Sequence, residues 1–102
     1  MVLLELQIYP NDKGVNLSAY VARCMDIIDK SGVTYLMNPM GTILEGSWDE
    51  VMAVVTACFK DLERDCDRIS TNIKIDYRAG DKSRLKSKIT SVENVLGRTL
   101  TT

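Results

Sequence analysis

Residues 39–51 read PMGTILEGSWDEV, and how they fold decides the architecture of the whole 102-residue chain. Pro39-Met40-Gly41 is too short a connection for anything but a tight turn, so the apolar runs on either side of it form an antiparallel hairpin. The first of those runs is Val33 to Asn38 and the second is Thr42 to Glu45. Gly46 then frees the backbone to turn sharply. Ser47 and Glu50 have the spacing of a capping box, in which the Ser47 hydroxyl takes the N–H three residues on and Glu50 reaches back to the Ser47 amide. Asp49 and Glu50 also lie at the positive end of the helix they begin.

Outward from this hairpin the hydrophobic period alternates between two and three to four. Residues 2–9, VLLELQIY, place Val2, Leu4, Leu6 and Ile8 on one side and Leu3, Glu5, Gln7 and Tyr9 on the other. Pro10 ends this strand, and Asn11, Asp12 and Gly14 form a loop. A helix follows from about Leu17, capped by Asn16 or Ser18, with Leu17, Val21, Cys24, Met25 and Ile28 as its apolar stripe and Gly32 as its stop. After the hairpin, Val51, Val54, Val55, Cys58 and Leu62 line a second helix. Arg68 to Tyr77 returns as a strand, with Ile69, Thr71, Ile73, Ile75 and Tyr77 on one face and Ser70, Asn72, Lys74 and Asp76 on the other. A polar loop leads to a last helix striped by Leu85, Ile89, Val92 and Leu96.

The order strand, helix, strand, strand, helix, strand, helix predicts one α+β domain over residues 1–102. It is a ferredoxin-like βαββαβ sandwich with an additional C-terminal helix and a four-stranded antiparallel sheet. The helices cover one sheet face. The other mixes Leu3, Glu5, Gln7 and Tyr9 with Ser70, Asn72, Lys74 and Asp76. To these the hairpin adds either Thr42 and Leu44 or Ile43 and Glu45, according to register. Apolar residues among polar ones on an open face favour association of identical subunits over a merely solvated surface.

Composition narrows the function. The chain is 45% hydrophobic and 26% charged, with a net charge of -1, which gives no general attraction to nucleic acid or an anionic membrane. An RNA-recognition domain shares this topology but stacks bases on aromatics in its central strands; here Tyr9 and Tyr77 stand only at strand ends, and the aromatic-rich RNA-binding motif is missing. There is no histidine, which excludes imidazole-based metal sites and Ser-His-Asp or Cys-His catalysis within one chain. Cys24, Cys58 and Cys66 are odd in number and form no CxxC, and the first two fall on apolar helix positions as small buried hydrophobes. No signal-peptide pattern or membrane-length apolar run occurs, so the expected compartment is the cytoplasm. No nucleophile stands beside a base, and catalysis has no positive support.

The stretch PMGTILEGSWDEVM resembles the P-M-G-T-x-x-E-G-x-W-D-E-V-M signature of the small thiamine-binding protein family. Ser18, Tyr20 and Val21 are similar to its S-x-Y-V segment. Thr71 to Arg78 is similar to its T-T-I-K-I-D-x-R strand, followed by Asp81-Lys82 and by Lys88, Ser91, Val92 and Glu93. The family's second threonine is replaced by Asn72, and the loop after Arg78 is one residue longer. The resemblance implies a non-catalytic ferredoxin-like protein that binds thiamine or its hydroxymethylpyrimidine half, with no other cofactor and no metal. It also implies a homotetramer or homodimer built through the sheets. An aminopyrimidine offers ring nitrogens and an amine, and a thiazolium is a cation that favours acidic or aromatic neighbours. On that chemistry Glu45 takes the amine, Trp48 or Tyr20 stacks, and Thr42 and Asn72 orient the ring, with Glu5 and Gln7 on the adjoining strand. The competing expectation is a structural or regulatory interaction module whose assembly matters more than any pocket.

Overall fold

A computed structural model describes all 102 residues. The elements run β1 (Val2–Pro10), α1 (Ser18–Lys30), β2 (Thr34–Asn38), β3 (Gly41–Gly46), α2 (Trp48–Glu63), β4 (Ile69–Tyr77) and α3 (Ser87–Leu96). The sheet has the order β2-β3-β1-β4, with every neighbouring pair antiparallel. This is the ferredoxin-like arrangement that the alternating periods require. No helix is long and apolar enough to cross a membrane.

The register places Leu4 opposite Leu44 and Leu6 opposite Thr42, so those residues face α1 and α2. Val2, Leu4, Leu6 and Leu44 from the sheet join Cys24 and Ile28 of α1 and Val51, Val54, Val55, Cys58 and Leu62 of α2 in one buried cluster. All three cysteines are free and buried. Glu45 pairs with Leu3 and Ile43 with Glu5, so the hairpin contributes Ile43 and Glu45 to the open face. On β4, Ile75 and Ile69 pack against the core, while Ile73 and Tyr77 on the same side are exposed, because the two helices do not reach across the edge strand.

The capping box at α2 is complete. Ser47 Oγ accepts from the Glu50 amide at 3.2 Å, and Glu50 Oε1 accepts from the Ser47 amide at 3.0 Å. The Ser47 amide, and then the Ser47 hydroxyl, hold the Glu50 carboxyl below its ordinary range. The other two helix starts carry no such cap. Before α1, Asn16 Oδ1 accepts only the Ser18 amide, at 3.3 Å, and Leu17 occupies the cap position. Gly32 stops α1 with a φ of 80°, as its place after the stripe predicts.

The β2–β3 turn is tighter than the sequence suggests. Gly41 already pairs with Asn38, which leaves only Pro39 and Met40 between the strands. Gly41 is required by proximity: a Cβ there would lie 3.0 Å from the Leu6 carbonyl oxygen and 3.1 Å from Gln7 Cγ. Gly46 has no left-handed backbone and still pairs with Val2, so the bend into α2 follows the end of the strand pairing.

The C-terminal helix departs from the expected layering. Its apolar stripe enters no core, and α3 contains no buried residue. The segment before it ties to Glu45 and Asp76, both on the open face, so α3 starts on the side away from α1 and α2. The molecule measures 47 × 28 × 20 Å with a radius of gyration of 15.2 Å. A compact domain of this length has about 13 Å, and the excess fits a helix standing off the body.

Candidate functional site

β1 outruns β3. Leu6 is the last β1 residue paired to β3, whereas Gln7 to Pro10 pair only with β4. Beyond that last pair the hairpin has already turned, and α1 crosses above. The result is a cavity of about 410 Å³, within the range of small-molecule sites. Leu6 and Ile8 form its floor, Val21, Cys24 and Met25 of α1 its roof, and Met37 through Gly41 the hairpin wall. Thr42 closes the inner end. Its side chain is buried, and its hydroxyl donates to Met25 Sδ at 3.2 Å. Gln7 borders the cavity, and its Nε2 donates to the Met40 carbonyl at 2.7 Å, fixing the hairpin turn at the rim.

Of the seven residues expected to meet a ligand, only Thr42 and Gln7 line this cavity. Glu45 is three residues from Thr42 on β3, which places it on the opposite sheet face. It is buried there, and its carboxylate is taken up within the chain. Oε1 accepts from Ser83 Oγ at 2.5 Å, and Oε2 accepts the amides of Arg84 at 2.6 Å and Leu85 at 3.0 Å. Glu5 is exposed on the open face between Ile43 and Lys74, and Asn72 is exposed opposite Gln7. Trp48 begins α2 and is half exposed. Tyr20 packs partly against the core, with the Arg23 guanidinium 5.5 Å from its ring centroid. The sequence-predicted cluster is therefore divided between two faces of the sheet.

Two groups of residues were invisible to motif reading. One is the sulfur-bearing lining, Cys24, Met25, Met37 and Met40, contributed by α1 and the hairpin. Met25 was legible only as a stripe residue, and nothing local links it to Thr42, 17 positions away. The other is the Ser83–Leu85 segment that engages Glu45. Arg84 is buried beside it, with Nη1 on Asp76 Oδ2 at 3.1 Å and Nη2 on the carbonyls of Asp76 at 2.9 Å and Met1 at 3.2 Å. Lys88 adds a second cation to Asp76. With Arg84, it holds that carboxyl below the usual range. These contacts anchor the start of α3. No group of three or more Cys, Asp or Glu side chains is arranged to hold a metal ion.

Cavity and fold together define a ferredoxin-like domain with a pocket between its first helix and its hairpin. Residues 4–93 match the family model described as thiamine-binding protein, and the chain belongs to that family. A UPF0045 protein of Synechocystis sp. is 32% identical over 96 residues, covering 93% of this chain and 79% of the relative. A UPF0045 protein of Methanocaldococcus jannaschii is 30% identical over 91 residues, covering 89% and 91% of the two chains. The crystal structure of a hypothetical protein from the same archaeon superimposes with a TM-score of 0.82 at 30% identity, over 89% of this chain and 94% of the other. A Thermotoga maritima protein described as a candidate thiamine biosynthesis/salvage protein superimposes with a TM-score of 0.77 at 25% identity, over 89% and 97%.

Proposed function

We propose that this protein binds thiamine or its hydroxymethylpyrimidine half without transforming it, and works as a homo-oligomer in the cytoplasm. The observation that carries the binding role is the cavity closed by Thr42, a threonine within the signature stretch, in a chain of the thiamine-binding family. A buried hydroxyl at the end of an apolar pocket is the kind of polar group that orients a small ligand. The reading without catalysis draws support from the lack of histidine and from the engagement of Thr42 with a thioether. Three free cysteines suit a reducing compartment. Within this reading, Thr42 contacts the ligand directly, and Gln7, whose side chain lies on the other sheet face, holds the hairpin wall through Met40. Glu5 and Asn72 would reach one only on the open face, Trp48 and Tyr20 lie off the cavity wall, and Glu45 supports the fold of the segment before α3.

Isothermal titration with thiamine and with the hydroxymethylpyrimidine tests the proposal. Saturable heat with either supports it, and no heat with both at millimolar ligand would falsify it.

A specific observation favours the interaction module as a second reading. α3 presents Val92, Val95 and Leu96 to solvent, and the open sheet face exposes Leu36 and Tyr9. Apolar surface of this kind suits contact with another copy. The two readings are compatible, and a homodimer or homotetramer through these surfaces belongs to both.

A further inference from the structure

We infer that Cys24 and Cys58 form a redox-modification site, in which a small neutral hydroperoxide entering the cavity oxidises the Cys24 sulfur and Cys58 closes a disulfide onto it. Its chemistry is independent of the ligand that the cavity holds.

The two residues meet where α1 packs on α2. Both are buried in the same core cluster, with 3% of Cys24 and none of Cys58 exposed. Cys58 Sγ lies 3.7 Å from the Cys24 carbonyl oxygen, across 34 positions of sequence. The Cys58 thiol also donates to the Cys24 sulfur. Each sulfur turns about a single χ1 bond, so rotations at two side chains bring them towards the disulfide bond length of about 2.0 Å. Cys66 stands apart. It follows the end of α2, and its thiol donates to its neighbour Asp65, whose Oδ1 is 3.7 Å away.

The paired thiols differ in access. Cys24 belongs to the lining of the cavity, and Cys58 does not. A small reagent inside the cavity therefore meets Cys24 first. None of the 15 lining residues is Asp, Glu, Lys or Arg. An uncharged peroxide enters such walls easily, whereas a charged oxidant loses hydration and finds no countercharge.

The pair is also polarised in one direction. Cys58 has a single S–H hydrogen, and both acceptors in its reach, a carbonyl oxygen and a sulfur, belong to Cys24. The hydrogen bond from Cys58 holds the Cys24 thiol below its ordinary pKa, against burial, and the same bond raises that of Cys58. The thiolate is the nucleophile towards peroxide, so Cys24 attacks and Cys58 resolves. The Cys24 thiolate takes one oxygen of the peroxide as the O–O bond breaks, and the other oxygen leaves as an alkoxide or hydroxide that picks up a proton. Cys58 sulfur then attacks the Cys24 sulfenic acid. The S–O bond breaks, and the hydroxide leaves with the Cys58 proton as water. Two electrons have passed from the two thiols to the peroxide, giving one disulfide, one water, and one alcohol or second water. The bond ties α1 to α2 in the cavity roof, and in a compartment that keeps thiols reduced it is transient.

Peroxide treatment of the folded full chain, then blocking of free thiols with N-ethylmaleimide and peptide mapping, tests the site. Hydrogen peroxide is expected to cross-link Cys24 to Cys58 within one chain, leaving Cys66 as the one alkylated residue of the three free cysteines. In Cys58→Ala the reaction is expected to stop at the Cys24 sulfenic acid, which dimedone traps. In Cys24→Ala, thiol loss is expected to slow at least about tenfold. Retention of all three thiols in excess peroxide, a cross-link to Cys66, or unchanged thiol loss in Cys24→Ala overturns the inference. Should Cys58→Ala fail to fold, dimedone added to the unmodified chain with limiting peroxide reads the order of attack. Label on Cys24 supports the assignment, and label on Cys58 or Cys66 instead overturns it.

Discussion

Glu45 Oε2 accepts the backbone N–H of Arg84 at 2.6 Å, joining the middle of the sheet to a segment 39 residues further along the chain. Ser83 and Leu85 donate to the same carboxylate. A buried acceptor with three donors supports local structure more strongly than an exposed one, because hydrogen bonds to a charged group contribute more than neutral ones. Glu45→Ala is therefore expected to lower stability by roughly 2–3 kcal/mol in urea denaturation. Amide exchange at Arg84 and Leu85 should accelerate. Affinity for a ligand held beside Thr42 should change little, since the two side chains lie on opposite sheet faces. An unaltered exchange rate at both amides would contradict the anchoring role.

The same residue shows where sequence reading stopped. The order of elements, the Val2-Leu4-Leu6 core row and the Ser47–Glu50 box were legible because each depends on spacing within a few residues. The face on which Glu45 lies was open, because a one-residue change of register reverses every side chain of a strand. Of its partners, Ser83 and Arg84 belong to a polar loop with no periodic signal, and Leu85, which the helical stripe includes, lies before α3 and gives Glu45 only its backbone amide. Motif residues looked like one cluster because Thr42 and Glu45 are close in sequence, yet an odd separation along a strand sends them to opposite sides. The cavity was illegible for a related reason: it arises where β1 extends past β3, a property of two strand lengths that no single stretch contains.

Gly41 offers a test of that geometry. In Gly41→Ala, the new methyl group would stand 3.0 Å from a main-chain oxygen of Leu6, which cannot swing aside as a flexible side chain would. Overpacking of this sort costs about 1–3 kcal/mol. The variant should melt at lower temperature. The displaced hairpin turn should also weaken the Gln7–Met40 contact and reduce pyrimidine binding. A melting temperature equal to that of the unmodified protein would show that β3 can shift away from β1 at little cost.

Acid sensitivity should centre on the link between α1 and α2. Arg23 Nε donates to Asp61 Oδ2 at 2.8 Å, and its two terminal nitrogens reach Asp65 at 2.8 and 3.0 Å. The guanidinium holds both carboxyls below their ordinary range. A carboxyl with a depressed folded-state pKa contributes stability that is fully present above its unfolded value, about 3.9, and is lost as pH falls through the folded one. Urea midpoints should therefore be insensitive to this pair near neutrality and should drop below about pH 4. Arg23→Gln should lower the midpoint at pH 7 and flatten the acid limb, since its aspartates would titrate nearer their unfolded values. A variant with an acid limb as steep as the original would move the source of that sensitivity to other carboxyls, such as Asp76.

The exposed stripe of α3 makes a separate prediction about assembly. Val92, Val95 and Leu96 are 52, 88 and 48% exposed, and the helix buries no residue in its own chain. A ten-residue helix without tertiary packing is marginal in water, so its persistence calls for a second surface against which those residues can pack. The open sheet face of another copy, with Leu36 and Tyr9, is such a surface. Val92→Glu combined with Val95→Glu removes nothing from the monomer core and should alter monomer stability by no more than about 0.5 kcal/mol. It should place two carboxylates in the contact, and the sedimentation coefficient should fall towards the monomer value. The helical signal should fall with it if α3 is held by its partner. A variant that sediments with the unmodified protein would exclude this stripe from the interface.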